Sequence, residues 1–405
     1  MTILHVITRL ILGGAQQNTV YSCAGQATAG HKVHLAYGPI YGPEGSLLDE
    51  AKRSGAKLHE IPALVRPVQP WKDLACYRAL RKLIREIQPD IVHTHSSKAG
   101  IVGRFAGWRE RGKSPRNLPK VVHTIHGLAF HGEQHPAVHK LYVGLERICA
   151  KRCDKLVAVS RPMVDAFVEK SIAPESQCVV IPSGVDLNRF AMNPEERARR
   201  RAKARLELGI PAGVPEAGAG ASAPVVALIA RLDPLKGQRD LLEMLPEWLR
   251  AHPTLRILLI GDGFDRPEVE RRIASGGHQQ RVKLLGLVDH ARVPQLLPAA
   301  DVSVLPSYQE GQPRTLIESL LCGCAVAAYS AGGVTAIVED GVTGRCVPIG
   351  DKPALAQAVL DLLADPERAR ALTNAGAERV RQRFGADAMV AQLDDVYRSL
   401  LDPPA

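Results

Sequence analysis

Short runs of β-branched and other apolar residues recur along the chain, and amphipathic stretches separate them. In the first half these runs lie at residues 3–7, 33–37, 57–61, 91–94, 121–125, 156–159 and 179–181. The clearest amphipathic stretches between them are residues 73–88 and 138–152. Strands that alternate with helices predict a parallel sheet covered by helices on both faces.

The same alternation restarts in the second half. Apolar runs lie at residues 225–229, 256–260, 282–285, 302–306 and 325–329, with helical stretches such as residues 238–250 between them. Before this restart come a highly charged stretch, residues 195–208, and a segment rich in Gly, Ala and Pro, residues 209–224. We predict an α/β protein of two doubly wound parallel-sheet domains, residues 1–189 and 190–385, with a solvated helix and a loop near the boundary.

Composition places the chain among globular proteins. Its 405 residues are 45% apolar and 23% charged, which suits two domains of ordinary size and excludes a disordered chain. The first strand begins close to Met1, and no apolar run reaches the length of a membrane span, so we expect a cytoplasmic protein. Eight cysteines lack zinc-finger or redox spacing and are expected to be reduced, buried thiols.

The net charge of +10 is unevenly distributed. Residues 1–190 hold 26 Lys and Arg against 15 Asp and Glu, whereas the rest of the chain holds 26 against 27. A basic half can attract nucleic acid, anionic lipid or a phosphorylated substrate. Only 4% of residues are aromatic and no nucleic-acid recognition motif is present, which argues against nucleic acid.

The basic residues of stretch 73–88 suggest a membrane surface. They recur at spacings of three and four residues, opposite an apolar face: Arg78, Arg81, Lys82 and Arg85. One hypothesis is that this face docks on anionic lipid at the inner side of the cytoplasmic membrane; the alternative is an ordinary solvated helix face.

Ligands of open parallel sheets bind beyond the carboxyl ends of the strands, so the residues after each strand carry the functional signal. Gly13 and Gly14 follow the first run, where glycines allow backbone N–H groups to approach a phosphate or sugar. A tight strand-to-helix turn is the alternative. A nicotinamide site is disfavoured because the G-x-G-x-x-G spacing is absent.

A second signal follows residues 225–229. Arg231 and Lys236 share one strand-to-helix loop, and Gly237 stands beside the helix start. Two cations and a helix N-terminus suit a diphosphate, although a solvated loop would have the same composition. Residues 261–263 form another turn of small residues, in which Gly263 allows a ligand to come close.

The most specific segment is residues 310–318. Gly311 and Pro313 prevent an early helix start, which places Glu310 in a loop and Glu318 in the helix that follows. The inner carboxylate suits the two vicinal hydroxyls of a ribose. Acids that favour the dipole of a helix N-terminus would be the alternative, but they do not explain the glycine and the proline.

In these residues the chain resembles the family 4 retaining glycosyltransferases, which have the GT-B fold of two facing Rossmann-like domains with a deep cleft between them. The resemblance extends over nearly the whole chain. Its motifs are Gly13-Gly14, residues 90–95, residues 124–127, Val159-Ser160, residues 182–186, Arg231 with Lys236, residues 261–263 and the Glu310/Glu318 pair.

The resemblance implies a role for each motif. Arg231 and Lys236 would hold the donor diphosphate, Glu318 the ribose, and Glu310 the transferred sugar, which His126 would contact from the first domain. The implied catalytic residues are His126, Arg231, Lys236 and Glu310. The implied donor-binding residues are Gly13, Gly14, Arg231, Lys236, Gly263, Glu310, Gly311, Gln312, Pro313, Arg314, Thr315, Leu316 and Glu318. Residues 386–405 would return to the first domain.

Two positions depart from the family pattern. Ser183 stands where Asn is common, and Arg314 stands where an apolar residue is common, which affects acceptor or donor preference. The implied function is transfer of a sugar from a UDP- or GDP-linked donor to a saccharide or lipid-linked acceptor, in the assembly of surface polysaccharide, lipopolysaccharide or glycolipid. The alternatives are a sugar-nucleotide epimerase of the same fold and a non-enzymatic basic binding protein.

No cofactor or metal is expected. The sequence contains no D-x-D pair that would hold a divalent ion on the diphosphate, so the cations of the protein would take that role. Five histidines cluster in sequence and invite comparison with a metal site: His123, His126, His131, His135 and His139. No acidic partner motif accompanies them, and solvated or hydrogen-bonded histidines are the expectation.

Overall fold

The fold is known from a computed structural model, which describes residues 1–41, 45–130, 134–210 and 222–402. Internal contacts divide the chain into two compact units. The first unit is Met1–Gly184 with Phe384–Ala405, and the second is Val185–Arg383. The divisions fall near the boundaries that we expected after residues 189 and 385. Most of residues 209–224, the predicted loop, lies outside the described residues.

The first unit is built on a sheet of seven parallel strands in the order β3-β2-β1-β4-β5-β6-β7. The strands are β1 (Thr2–Ile7), β2 (Lys32–Tyr37), β3 (Lys57–Glu60), β4 (Ile91–His95), β5 (Lys120–Ile125), β6 (Lys155–Ala158) and β7 (Cys178–Val180). The helices of this unit are α1 (Gly14–Thr28), α2 (Leu48–Arg53), α3 (Pro70–Ile87), α4 (Ser97–Arg111), α5 (Pro136–Ala150), α6 (Arg161–Glu169) and, from the end of the chain, α15 (Ala386–Leu401).

The second unit repeats the plan with six parallel strands in the order β10-β9-β8-β11-β12-β13. These are β8 (Val225–Ile229), β9 (Arg256–Ile260), β10 (Val282–Gly286), β11 (Val302–Leu305), β12 (Ala325–Tyr329) and β13 (Arg345–Val347). Its helices are α7 (Leu187–Phe190), α8 (Pro194–Glu207), α9 (Gln238–Ala251), α10 (Arg266–Ser275), α11 (Val293–Leu296), α12 (Arg314–Leu321), α13 (Lys352–Ala364) and α14 (Pro366–Arg383). The prediction of two doubly wound parallel-sheet units is confirmed.

Helix α15 completes the core of the first unit. Leu393 and Tyr397 pack in one buried cluster with Ile3 of β1 and Ile91 of β4. Ser183 and Gly184 end the segment before the second unit, and an added Cβ at Gly184 would lie 2.5 Å from Cα of Ala386. The last helix therefore lies against the first sheet, as the resemblance implies.

The sequence prediction missed one strand. β13 is only three residues long and begins with Arg345, so no apolar run marks it. The cysteine prediction is confirmed, since all eight are free and six are buried. Burial raises the pKa of Cys153 to about 12, which keeps this thiol protonated. Among the described helices, none combines the length and apolar character that a bilayer span requires.

Candidate functional site

The loops after β8, β11 and β12 are fixed to one another at the carboxyl end of the second sheet. The backbone N–H of Tyr308, after β11, donates to the carbonyl of Leu235, after β8, at 2.9 Å. Gly237 has φ +70°, and an added Cβ there would lie 1.9 Å from the carbonyl oxygen of Pro306. Only glycine fits such a contact, so the start of α9 and the end of β11 are locked in position.

A second pair of glycines holds the loop of Glu310. An added Cβ at Gly332, where φ is +51°, would lie 2.0 Å from the carbonyl oxygen of Glu310. The same atom at Gly333 would lie 1.9 Å from the carbonyl oxygen of Gly311, and the Gly333 N–H donates to the Glu310 carbonyl at 3.2 Å. The loop after β12 therefore supports the backbone on which Glu310 stands.

Lys236 and Glu310 form an ion pair in this frame. The ammonium nitrogen of Lys236 lies 2.7 Å from Oε1 of Glu310, and 3.4 Å from the carbonyl oxygen of Gln309. The two side chains are 22% and 11% exposed, so the pair is partly desolvated but reachable from solvent. An approaching phosphate would meet the ammonium, while a hydroxyl would meet the carboxylate.

Arg231 projects from the same loop as Lys236 and is more exposed. Its guanidinium nitrogen Nη2 lies 2.7 Å from Oδ2 of Asp233, and 61% of its side chain is exposed. Asp233 also accepts from the Leu235 N–H at 3.0 Å, which shapes the turn that leads to Lys236. Both cations thus lie in the loop after β8, and each is paired with a different carboxylate.

Glu318 is buried in the second turn of α12. Its Oε1 lies 3.1 Å from Nε2 of His290, and the carboxylate side chain is only 4% exposed. His290 follows β10, so it comes to Glu318 from a neighbouring loop at the same end of the sheet. As expected, Glu310 belongs to a loop and Glu318 to the helix after it.

The remaining predicted donor residues surround the start of α12. Pro313 is the N-cap of α12, and Arg314 and Thr315 open the helix. Gln312 is half-buried and Arg314 is buried. Leu316 is fully buried and its N–H donates to the Pro313 carbonyl at 3.2 Å, so its side chain belongs to the core of the unit.

Gly261 and Gly263 bring the loop after β9 onto the Arg231 loop. An added Cβ at Gly263 would lie 2.1 Å from the carbonyl oxygen of Leu232, and one at Gly261 would lie 2.0 Å from that of Ala230. The Leu232 N–H donates to the Asp262 carbonyl at 3.0 Å. Gly263 is therefore required for the close backbone packing next to Arg231.

Buried polar atoms without a partner also occur in this part of the molecule. Within the described ranges, Gln238 Oε1, His290 Nδ1 and Ser307 Oγ have no hydrogen bond. These residues stand at the start of α9, after β10 and after β11. Unpaired buried polar atoms are costly and are usually satisfied by water or a ligand, so these three positions are candidates to contact one.

In the first unit, Gly13 and Gly14 begin α1 at the carboxyl end of β1. Gly13 is the N-cap of the helix and has no side chain with which to cap it. His126 follows β5, and its Nε2 lies 3.1 Å from Nδ1 of His95. Both positions therefore lie beyond the carboxyl ends of strands, where the sequence placed them.

Histidines gather in the first unit, but not as a local sequence cluster. Ring nitrogens of His5, His93 and His95 lie within 4.8 Å of one another, the spacing of a metal site. All six ring nitrogens take part in hydrogen bonds, with each other, Gln26, Tyr397, Thr124 or His126. The structure thus accounts for this group as a hydrogen-bond network.

The histidines of residues 123–139 have separate surroundings. His123 Nδ1 bonds to Thr94 Oγ1 at 2.9 Å, and the side chain of His135 caps α5 by accepting from the Ala137 N–H. His139 lies edge-on to Phe130. His131 lies outside the described residues. His123 and His135 are thus hydrogen-bonded, as expected.

Sequence reasoning missed His290, Asp233 and the Gly332-Gly333 pair. Each lies directly after a strand of the second sheet, which is the signal that could have identified them. His290 meets Glu318 across 28 positions of the chain, and no local pattern predicts that contact.

Two family models match the chain. The one described as Glycosyltransferase Family 4 matches residues 12–189. The one described as Glycosyl transferases group 1 matches residues 223–365. The two matches fall on the two sheets.

Named relatives agree with these matches. A D-inositol 3-phosphate glycosyltransferase of Thermobispora bispora is 32% identical over 338 residues, which cover 77% of this chain and 71% of that protein. A UDP-Gal:alpha-D-GlcNAc-diphosphoundecaprenol alpha-1,3-galactosyltransferase of Escherichia coli is 28% identical over 80% of this chain and 78% of that protein. The crystal structure of Anabaena HepE with UDP-glucose covers 98% of this chain and 100% of its own, with a TM-score of 0.80 and 23% identity.

The glycine contact under Glu310 can be tested by substitution. Gly332→Ala forces a left-handed residue and a 2.0 Å clash with the Glu310 carbonyl, so the free energy of unfolding should fall by about 3 kcal/mol. Gly341→Ala is the matched control, because Gly341 has φ +72° and open space around it, and the loss should be about 1 kcal/mol. Chemical denaturation measures both. Equal losses in the two variants would show that the close contact does not support the loop.

Proposed function

This chain belongs to glycosyltransferase family 4 and has the GT-B architecture of two Rossmann-like units, and from this we propose that it transfers a sugar from a nucleotide-sugar donor to an acceptor hydroxyl. The observation that carries the proposal is the Lys236–Glu310 pair, 2.7 Å apart at the carboxyl end of the second sheet, with Arg231 in the same loop. Similar proteins act on or bind such molecules: the Escherichia coli relative is named for UDP-Gal, and HepE was crystallised with UDP-glucose.

Each part of the donor is bound by residues that suit its chemistry. Arg231 and Lys236 bind the diphosphate, because charge-assisted hydrogen bonds to phosphate are strong. Glu310 and the backbone of residues 311–313 bind the sugar hydroxyls. Glu318 binds the ribose. Nε2 of His290 lies 3.1 Å from Oε1 of this carboxylate. Donation by His290 leaves the second carboxylate oxygen for a ribose hydroxyl.

The reaction proceeds with retention of configuration in this proposal. The bond between the anomeric carbon and the phosphate oxygen breaks through an oxocarbenium-like state. The acceptor oxygen bonds to the anomeric carbon on the same face, and its proton passes to the departing phosphate. Arg231 and Lys236 stabilise the charge that develops on the leaving diphosphate, which is usually the largest single contribution to catalysis. His126 is proposed to contact the transferred sugar.

The acceptor is a saccharide or a lipid-linked saccharide, as in the assembly of surface polysaccharide, lipopolysaccharide or glycolipid. The Escherichia coli relative is named for an acceptor linked to diphosphoundecaprenol, which supports a lipid-linked substrate. A sugar-nucleotide epimerase is the second candidate. Incubation with donor, with and without acceptor, separates the two, because only a transferase releases nucleoside diphosphate in proportion to added acceptor.

Helix α3 supports a site on the membrane surface. Trp71 and Leu74 are exposed and share one face of α3 with Arg78, Lys82 and Arg85, since these positions recur every three or four residues. Arg81, which the sequence placed in the same basic stripe, pairs with buried Glu110 at 2.5 Å, while Arg85 lies 3.7 Å from Glu110 and Lys82 lies 3.8 Å from Glu86. Exposed apolar side chains beside a row of cations suit the surface of an anionic membrane.

Removal of the Lys236 ammonium should lower turnover. Lys236→Ala leaves the leaving phosphate with one cation fewer, so kcat should fall by about a hundredfold or more. Lys352→Ala is the matched control, because Lys352 is also ion-paired in the second unit, with Glu243 at 2.6 Å. Steady-state assays of nucleoside diphosphate release measure both. Unchanged kcat in a folded Lys236→Ala protein would contradict the assigned role.

Metal removal should leave turnover intact. The protein's own cations neutralise the diphosphate in this mechanism, so EDTA should not reduce kcat and added Mg²⁺ should not raise it. Assays with dialysed enzyme, with EDTA and with Mg²⁺ give the answer. Activity that EDTA abolishes and Mg²⁺ restores would replace this part of the mechanism by a metal-assisted one.

Charge removal on α3 should weaken membrane binding. Replacement of Arg78, Lys82 and Arg85 by Gln removes three cations at about 1 kcal/mol each, so partition onto anionic vesicles should fall by about a hundredfold at low salt. Replacement of the exposed Arg368, Arg370 and Arg381 of α14 by Gln is the control of equal charge. Sedimentation with vesicles rich in phosphatidylglycerol measures both. Equal binding by the two triple variants would refute docking through α3.

A further inference from the structure

A groove lies at the amino ends of the first three strands of the first unit. Its volume is about 530 Å³, within the range of roughly 300–1,000 Å³ that is usual for small-molecule sites. Thr2, Lys32 and Lys57, each the first residue of its strand, line this groove, which we call the amino-end groove. It lies at the opposite end of the sheet from the loops that carry the candidate site residues of this unit.

The lysines of the groove lack a counter-ion. Lys32 begins β2 and Lys57 begins the adjacent strand β3, and both side chains are exposed. Within the part of the chain that the structure describes, neither ammonium group pairs with a carboxylate or donates to a protein atom. Glu86 is the carboxylate among the lining residues, and Nζ of Lys82 lies 3.8 Å from it. The groove therefore has an excess of positive charge, which favours an anionic ligand.

Two half-buried histidines line the same groove. His34 Nδ1 lies 2.9 Å from His59 Nε2, and the two rings are stacked. Over the described ranges, the remaining nitrogens, Nε2 of His34 and Nδ1 of His59, have no protein partner. Whichever ring donates within the pair, two neutral rings present one further N–H and one further lone pair. The pair can therefore donate one hydrogen bond to an anion.

Burial and the neighbouring charges keep these histidines neutral. Burial lowers the pKa of both His34 and His59, and the charge of Lys57 lowers both further. His59 adds to this effect at His34, whereas Glu86 opposes it at His59. An anion beside the rings would raise both pKa values, because it stabilises the protonated form. Anion binding and protonation should therefore strengthen each other.

Helix α3 contributes a different kind of surface to the groove. Leu83 and Ile87 are half-buried, and Glu86 between them along the helix is exposed. The groove has more room than one phosphate ion needs, so a ligand that fills it also has a carbon skeleton. That skeleton can pack on Leu83 and Ile87, and its hydroxyl groups can donate to the carboxylate of Glu86.

We propose that the amino-end groove binds a small molecule that carries a phosphate group and hydroxyl groups, with Lys32, Lys57 and the His34–His59 pair on the phosphate and Glu86 on a hydroxyl. The groove lies wholly within the first unit. The proposal is therefore independent of the proposed function and of the donor site in the second unit.

Titration calorimetry of the full chain with glycerol 3-phosphate tests the assignment. The wild type should bind saturably. Lys32→Gln with Lys57→Gln should weaken binding by about a hundredfold, about tenfold for each charge-assisted hydrogen bond. Lys140→Gln with Lys151→Gln is the control of equal charge, because both lysines are exposed and lie outside the groove, and its affinity should be unchanged. No saturable binding by the wild type, or equal affinities of the two double variants, would overturn the proposal.

Two further comparisons separate this site from other phosphate sites. Arg231→Ala with Lys236→Ala should leave the affinity for glycerol 3-phosphate unchanged, and a loss there would assign the phosphate to the second unit and overturn the proposal. Sedimentation with vesicles rich in phosphatidylglycerol should not differ between wild type and Lys32→Gln/Lys57→Gln. Weaker sedimentation of the variant would assign the groove to a lipid headgroup instead of a free molecule.

The hydroxyl contact is tested with inorganic phosphate. Glycerol 3-phosphate should bind about fivefold more tightly than inorganic phosphate, the value of one hydrogen bond, and Glu86→Ala should abolish this difference. Equal affinities of the wild type for the two ligands would overturn the assignment of a hydroxylated ligand.

The histidine contribution is tested with sulfate, whose charge is constant over the range in which histidines titrate. The affinity for sulfate should rise by about tenfold as the pH falls from about 8 to about 6, because binding takes up a proton. His34→Gln with His59→Gln should remove this rise and leave the two lysines in place. An affinity of the wild type that does not change with pH, or the same rise in the variant, would overturn the role of the pair.

Discussion

Backbone contacts too close for any side chain hold the site of the second unit together. Gly237 lies against the Pro306 carbonyl, Gly332 against that of Glu310, and Gly263 against that of Leu232. Each contact joins two loops that follow different strands. Because these loops are fixed to one another, Lys236 and Glu310 are held 2.7 Å apart. Preorganised charge of this kind is what a transfer to or from a phosphate requires.

The first unit combines buried side-chain hydrogen bonds with glycine contacts such as that of Gly38, where an added Cβ would lie 1.8 Å from the carbonyl oxygen of Leu64. His5 and His95 lie on adjacent strands β1 and β4, and His126 follows β5, the next strand in the sheet. His5 lies 2.9 Å from His95 and His95 lies 3.1 Å from His126, each measured between ring nitrogens, so these side chains connect the three strand ends. The C-terminal helix places Asp394 beside Gln26 and His31 and packs an apolar face into the core, so its return completes the first unit.

Local sequence sufficed for the elements that have strong periodic patterns. Twelve of the thirteen strands follow apolar runs, and α3 and α9 follow amphipathic stretches. β13 has neither, because it is an edge strand of three residues. The positions of Arg231, Lys236, Glu310 and Glu318 were predictable because each stands near a strand end or beside a helix start, and their roles stay predictions. Contacts between distant positions were not predictable in this way.

The histidines show this limit most clearly. Sequence spacing drew attention to residues 123–139, whereas the actual cluster joins His5 to His93 and His95, about 90 positions away. Strand order creates that neighbourhood, since β1 pairs with β4. His290 and Glu318 also meet far apart in sequence, although β10 and β11 are not neighbours in the sheet. Leu316 shows the opposite case, in which a residue inside a recognised motif serves the core.

The central claim is that Arg231 and Lys236 bind the diphosphate of the donor. Isothermal titration calorimetry compares the affinity for UDP with that for UMP, and the affinity for GDP with that for GMP. The difference in each pair measures the contribution of the second phosphate to binding. For the nucleotide that binds, the account predicts that the diphosphate binds about a hundredfold more tightly to the wild type, and that this advantage disappears in the Arg231→Ala/Lys236→Ala double variant. The same diphosphate advantage in the double variant as in the wild type would contradict the account.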